Sequence, residues 1–307
     1  MITSRIRSGT LVTPLHPPMP SGARATEIAG YQGFRPEAPN GSDLPGLPRG
    51  SGPASPRGLQ GQWLWAAGQT GGCGGFDRVR SALTLRSLRR LLPRATHLRI
   101  LEIGLGRGLI LSRFLQQGHE VSGIDPGALE RNMVPSVRAG ATIYSQPAEE
   151  VELPKSSFDL IYGIHVVEHL RDPASVLRSC HDGLKPGGVL YLMTPNGSSV
   201  GLRLFGERWW NLEDPTHVRF FSPRSISIML SRAGFHRARI RTPIWDSLTV
   251  EITSVAGTLR PGTTQHGVLG NRALLPVYAA LLPIALVARA ICPALSPSME
   301  VVAAKEP

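Results

Sequence analysis

A stretch from Arg99 to Gly108, Arg-Ile-Leu-Glu-Ile-Gly-Leu-Gly-Arg-Gly, constrains this chain more than any other. A short apolar run ends in three glycines at alternate positions, and a helical pattern starts directly after them. Without a Cβ, Gly104, Gly106 and Gly108 let the backbone turn sharply and come close to a bound molecule. The first N–H groups of the helix then stand ready as donors. A dinucleotide fingerprint, GxGxxG, would need glycine at 109, where this chain has Leu. The spacing is Glu-x-Gly-x-Gly-x-Gly instead.

The pattern around this turn sets the fold class. Leu98–Ile103 reads as a strand, Leu109–Gln117 as a helix and Gly118–Ile124 as a second strand, which closes a strand–helix–strand unit. Leu129–Ala139 then reads as a weaker helix and Ala141–Ser145 as a short strand. Phe158–Ile164 follows as a strand, Pro173–Gly183 as a helix with Pro at its start, and Gly188–Met193 as a strand after the Lys185-Pro-Gly-Gly188 turn. A helix at Ser222–Ala233 and strands at Ala238–Arg241 and Met299–Ala304 complete the series. Strands alternating with helices predict a Rossmann-like α/β domain, a mostly parallel sheet with helices on both faces. The second strand ends in Gly123-Ile-Asp125, seventeen residues past Gly108. A carboxylate there lies beside the glycine turn and can accept from both hydroxyls of a ribose. Its alternative role is to cap the helix that begins at 127–130.

The ends of the chain read differently. Residues 1–60 are rich in Pro, Gly, Ser and Arg and bury too little apolar surface to offset chain entropy, so a disordered arm is expected, with order beginning near Trp63. From Phe76 to Leu92 the apolar positions keep a helical period. Residues 61–307 form the expected domain, with an apolar insertion at about 245–297. Within it Ala273–Ala288 is sixteen residues without a charge, interrupted by Pro276 and Pro283. A membrane span needs about 20 apolar residues. An interfacial hairpin, a lid over an apolar pocket and a buried helical pair all fit the pattern, so peripheral membrane contact through 273–288 stands as one expectation. Three cysteines without metal-ligand spacing fit a reducing compartment. No apolar run of seven or more residues precedes Pro14, which predicts no secretory signal and a cytoplasmic protein, peripheral at the inner membrane face if the insertion meets lipid. The net charge of +11 comes from arginines scattered through every segment, which disfavours a dedicated nucleic-acid surface.

Seven elements stand in one order: Leu101–Gly108, Gly123–Asp125, Phe158–Ile161, Val167-Glu-His-Leu-Arg-Asp-Pro173, Leu184–Gly188, His217-Val-Arg-Phe-Phe-Ser222 and Ala233-Gly-Phe235. In this the chain resembles the class I S-adenosylmethionine-dependent methyltransferases, in particular the bacterial branch related to ubiquinone-biosynthesis O-methyltransferases and to surface-polysaccharide enzymes. The resemblance runs from about Phe76 to Ala304, omitting the insertion. It implies a seven-stranded sheet whose last strand, 299–304, inserts antiparallel between parallel neighbours. It implies S-adenosylmethionine as cofactor, with Glu102 and Gly104, Gly106 and Gly108 at the methionine end and Asp125 on the ribose. Ala148 and Glu149 would sit by the adenine, although Pro147 stands where the family often has an acid. Ile164 and His165 would line the methyl-donor side.

A sulfonium methyl is already activated, so such an enzyme chiefly aligns its acceptor, and a hydroxyl acceptor also needs a base. His217, in the loop after strand five, and His169 are the candidate catalytic bases; packing against Phe220 is the ordinary alternative for His217. His165, Glu168 and His169 share a face if they begin a helix, a spacing that suits a divalent metal. Ordering of the loop before Pro173 explains the same residues, and no metal is assigned. Trp209 and Trp210 form either a stacking wall or core. The expected activity is O-methylation of a sugar, glycolipid or quinone-like acceptor, small or lipid-linked. A catalytically silent cofactor-binding scaffold and an RNA methyltransferase are the rival readings.

Overall fold

The computed structural model describes residues 74–93, 97–126, 133–212, 214, 216–259 and 275–307. The arm at 1–60, the expected start of order near Trp63 and the middle of the insertion fall outside these residues. Seven strands form one sheet: β1 (Arg99–Ile103), β2 (Glu120–Ile124), β3 (Thr142–Tyr144), β4 (Phe158–Ile164), β5 (Leu184–Pro195), β6 (Ala238–Arg241) and β7 (Ser298–Ala304). Their order is β3-β2-β1-β4-β5-β7-β6. The first five run parallel, and β7 lies antiparallel to both β5 and β6. The sheet expected from the sequence is therefore present, including the reversed last strand.

The reason for helices on both faces is visible along β1. Leu101 and Ile103 point into one apolar cluster, while Ile100 points into the other. The same two-residue alternation recurs in β4 and β5, so neither face can be left to water. Helices α1 (Gly74–Arg89), α2 (Leu109–Leu115) and α3 (Pro135–Gly140) cover one face through Leu88, Phe114 and Val137. Helices α4 (Pro173–Gly183) and α6 (Pro223–Arg232) cover the other through Leu177 and Leu230. A further helix, α5 (Val200–Phe205), follows β5.

Three local expectations need correction. The helix expected at 129–139 starts at Pro135, whose fixed φ suits a first helical position; residues 127–132 are not described. The Lys185-Pro-Gly-Gly188 turn lies inside β5, because a register shift against β4 and a left-handed Gly187 (φ 77°) absorb the irregularity. Finally, the insertion contains neither a hairpin nor a buried helical pair among the described residues. It holds α7 (Val250–Leu259) and one long helix, α8 (Leu275–Ile291), which packs on α7 with one side and leaves the other exposed.

Candidate functional site

Strands β1, β2, β4 and β5 point their C-terminal ends to the same edge, where crevices of parallel sheets accept ligands. At that edge Gly104 and Leu105 donate their N–H groups to Ile124 O, at 2.8 and 3.2 Å, which fastens the glycine turn to the end of β2. The next residue, Asp125, is buried and accepts from Gly106 N at 2.9 Å. Its carboxylate lies against the turn. Gly104 and Gly106 have φ of 72° and 52°. A Cβ on Gly104 would strike Val166 at 2.8 Å, whereas one on Gly106 would meet nothing within 4 Å. The backbone at 106 therefore faces open space.

Glu102 pairs in register with Tyr162 of β4 and is almost fully buried. Its Oε2 has no hydrogen-bond partner among the described residues. Burial, helped by the charge of Asp125 and opposed by the Tyr162 hydroxyl, pushes its pKa up to about 8. A carboxyl buried without a partner in this way is costly in its ionised form unless a cation meets it. Ala148 is buried in a short turn, and Glu149 Oε1 accepts from Arg171 N at 2.8 Å. Glu149 thus braces the loop that follows β4.

That loop holds a constellation only partly visible in sequence. His165 donates its N–H to Met193 O at 2.7 Å and takes a left-handed backbone, φ 52°. Its Nε2 lies 3.0 Å from Asp246 Oδ2 and its Nδ1 3.4 Å from Glu168 Oε1, with both carboxylates fully buried. Burial alone would discharge the ring, but the two carboxylates win and raise its pKa to about 10. His165 is an imidazolium at neutral pH and unsuited to act as a base. Asp246 is held far below the usual carboxylate range even though burial opposes this, and Glu168 is lowered likewise. Thr194 Oγ1 donates to Glu168 and Ser247 Oγ to Asp246.

Because His165 is left-handed and Val167–His169 makes one 3-10 turn, His165, Glu168 and His169 do not share a helical face. His169 is instead joined by His217, ring centroids 4.7 Å apart. Their Nδ1 atoms lie 3.0 Å from Thr216 O and 2.6 Å from Asn211 O. A carbonyl only accepts, so in the neutral rings Nδ1 carries the proton and Nε2 the lone pair. Burial lowers the pKa of His169, with His217 adding to the effect and Glu168 and Thr216 opposing. Glu168, His169 and His217 each offer a ligand atom within 4.8 Å of one another, a donor set that would suit a divalent cation. His217 also meets Phe220 edge-on at 5.7 Å. Trp209 is core, fully buried against Phe220.

A family model described as a methyltransferase domain matches residues 76–237, more than half of the chain. The chain belongs to this methyltransferase family. Among its relatives, a ubiquinone biosynthesis O-methyltransferase of Cereibacter sphaeroides is 33% identical over 150 residues, 45% of this chain and 60% of that protein. One of Pseudomonas aeruginosa is 38% identical over 104 residues, 32% of this chain and 44% of that protein. The matched part of this methyltransferase-family chain thus spans about half of those relatives' length. Of solved structures, the complex between the Haloferax volcanii Trm112 methyltransferase activator and its methyltransferase aligns with a TM-score of 0.54 at 17% identity, covering 80% of this chain and 98% of that one. Haemonchus contortus phosphoethanolamine N-methyltransferase 2 aligns at 0.50 and 19%, covering 81% and 57%. At these identities the two structures share the fold.

Asp246, Glu251 and Arg289 lie beyond the matched segment of the methyltransferase domain. No motif surrounds them in the sequence, where Arg289 stands only as the charge that bounds the apolar stretch 273–288. The one available signal was that each is an isolated charge in a strongly apolar stretch.

Proposed function

We propose that this chain transfers a methyl group from S-adenosylmethionine to a hydroxyl on a sugar, glycolipid or quinone-like acceptor. The observation that carries the reading is the meeting of Glu102, the open backbone at Gly106 and Asp125 at one sheet edge. The residues fit the cofactor: the unmatched Oε2 of Glu102 would take the methionine ammonium, and Asp125 would exchange its bond to Gly106 for the ribose hydroxyls. Ala148 would pack by the adenine, with Glu149 holding the neighbouring loop. Bound there, the cofactor supplies an electrophilic methyl carbon. His165 with Asp246 and Glu168 carries a net negative charge, which would suit a sulfonium bound at this edge.

His169 is the base in this reading, and His217 aligns it. With an acceptor hydroxyl beside it, Nε2 of His169 would take the proton that the hydroxyl gives up on methylation. The hydroxyl acceptor rests on the relatives' printed activity and on these two imidazoles. Calorimetry with S-adenosylmethionine and S-adenosylhomocysteine tests the proposal, on wild type and Asp125→Ala. Micromolar binding abolished by the substitution supports it. A folded wild type that binds neither compound makes the chain a silent scaffold.

A further inference from the structure

Helix α8 contains no acidic residue, and Arg289, its one cation, is turned inward and 2% exposed. One side of α8, with Tyr278, Leu282 and Leu286, packs on Leu248 and Ile252. The other side leaves Val277, Leu281, Ile284, Val287 and Ile291 between 41% and 78% exposed. Their spacing of three and four residues puts them on one face. Val255 and Leu259 of α7 add to the exposed apolar surface. Folded chains seldom leave such a surface to water unless something docks on it.

Length and charge select what docks. A helix of 17 residues is about 25 Å long. No helix among the described residues is long and apolar enough to cross a membrane. Because only one side of α8 is free, it can lie along an apolar boundary with the protein above it. The acids of segment 243–297 are Asp246 and Glu251. Both are spent internally, on His165 and on Arg289. The apolar face is therefore free of outward carboxylates of its own. Exposed Arg208, bonded to Thr258 O of α7, adds a cation at the edge of this surface, on a chain of net charge +11.

We propose that α8 and the exposed end of α7 seat this protein on the surface of an anionic lipid bilayer. This rests on the proposed methyl transfer and specifies its acceptor as a lipid-linked one met at that surface. Arg289 gives the seat a mechanical connection to the site. Its Nη1 donates to Ile244 O and Asp246 O, at 3.1 and 2.8 Å, and its Nη2 to Ser247 O at 3.1 Å. The strip it grips presents Asp246 to His165.

Cosedimentation of the full chain with vesicles tests the seat. One set is phosphatidylglycerol with phosphatidylethanolamine, the other phosphatidylcholine alone. The probe variant is Ile284→Asp with Val287→Asp, both at exposed positions. Wild type should pellet with the anionic vesicles, and the variant should bind them about tenfold less or weaker. S-adenosylhomocysteine affinity should be the same in both proteins, which separates failure of the seat from failure of the cofactor site. Wild type that stays in solution with the anionic vesicles overturns the proposal, as does equal binding to both sets. So does a dimer, seen by light scattering, that the variant splits while vesicles are ignored; the face would then bind a second copy.

Discussion

Asp246 Oδ2 and His165 Nε2, from residues 81 positions apart, meet at 3.0 Å in a buried ion pair at the C-terminal edge of the sheet. Removing one partner strands the other charge, so Asp246→Asn should cost about 3 kcal/mol at neutral pH. The pH dependence has two limbs. The folded state binds the His165 proton more tightly than the unfolded chain does, so that contribution is whole below about pH 6.5 and lost as pH rises through about 10. Asp246 is depressed, and its contribution is present at neutral pH and lost in acid. In Asp246→Asn the alkaline limb should move toward neutrality. Urea midpoints equal to wild type from pH 5 to 10 would show that the pair contributes nothing.

Glu102 has the opposite sign. Its raised pKa means that the folded protein holds a proton the unfolded chain releases, so stability falls as pH rises from about 4.5 to about 8. Glu102→Gln should remove this fall and stabilise the cofactor-free protein at pH 8 by on the order of 2–4 kcal/mol. An arriving ammonium would favour the ionised form, so S-adenosylhomocysteine should bind wild type more tightly at pH 8 than at pH 6. Calorimetry in two buffers of different ionisation heat reads the released proton directly. Binding without proton release, and without loss in Glu102→Gln, would place the ammonium elsewhere.

The difference between these two carboxylates explains how much the sequence disclosed. Glu102, the glycines and Asp125 lie within one strand–turn–helix–strand unit, so local periodicity and spacing place them together. The sheet was legible for the same reason: each strand's alternation states that both of its faces are buried. Asp246 reaches His165 only through the return of β7 between β5 and β6 and the packing of α7 and α8. Contacts made by tertiary closure leave no periodic trace. The left-handed backbone of His165 was equally invisible, since histidine has no local preference strong enough to announce it. With that residue outside the helical region and Val167–His169 in one 3-10 turn, no helical face forms, although His165 still meets Glu168 at 3.4 Å.

Two glycines of the turn should respond differently to alanine. Gly104→Ala places a Cβ 2.8 Å from Val166 in a left-handed backbone. It should destabilise the fold by about 3 kcal/mol and disturb the adjoining His165 loop. Gly106→Ala has open space and carries only the backbone strain, about 1 kcal/mol. It should nonetheless weaken cofactor binding at least tenfold, because the new methyl occupies the ligand's approach. Thermal melts beside calorimetry separate these effects. Equal losses of stability with no change in affinity would mean that the turn serves the fold alone.

His169→Gln should slow methyl transfer by about 10²–10⁴-fold if the ring takes the acceptor proton. S-adenosylhomocysteine affinity should change little, since His169 makes none of the contacts assigned to the cofactor. His217→Gln should give a smaller loss, through misalignment of His169. Because burial lowers the pKa of His169, the wild-type rate should hold below the pH at which an exposed imidazole becomes protonated. Single-turnover rates against pH, once an acceptor is found, make this comparison. A His169→Gln enzyme with an unchanged rate would transfer the role to another group.

Arg289 pairs with Glu251 through both carboxylate oxygens, at 2.6 and 2.7 Å, and also donates to three backbone carbonyls of 244–247. The ion pair and the carbonyl grip can be separated, because only the first needs Glu251. Glu251→Gln keeps the carbonyl bonds and a neutral acceptor, and should cost about 1 kcal/mol. Arg289→Leu loses both and leaves a largely buried carboxylate whose pKa burial already raises, so a loss of about 3–5 kcal/mol is expected. The double variant should recover part of that loss, since Gln leaves no stranded charge. The grip has a second signature: Arg289→Leu should also shift the His165 titration, observed by NMR, toward its ordinary range, while Glu251→Gln should not. Equal effects of the two single variants on that titration would mean that Arg289 acts by charge and not by holding the strip that carries Asp246.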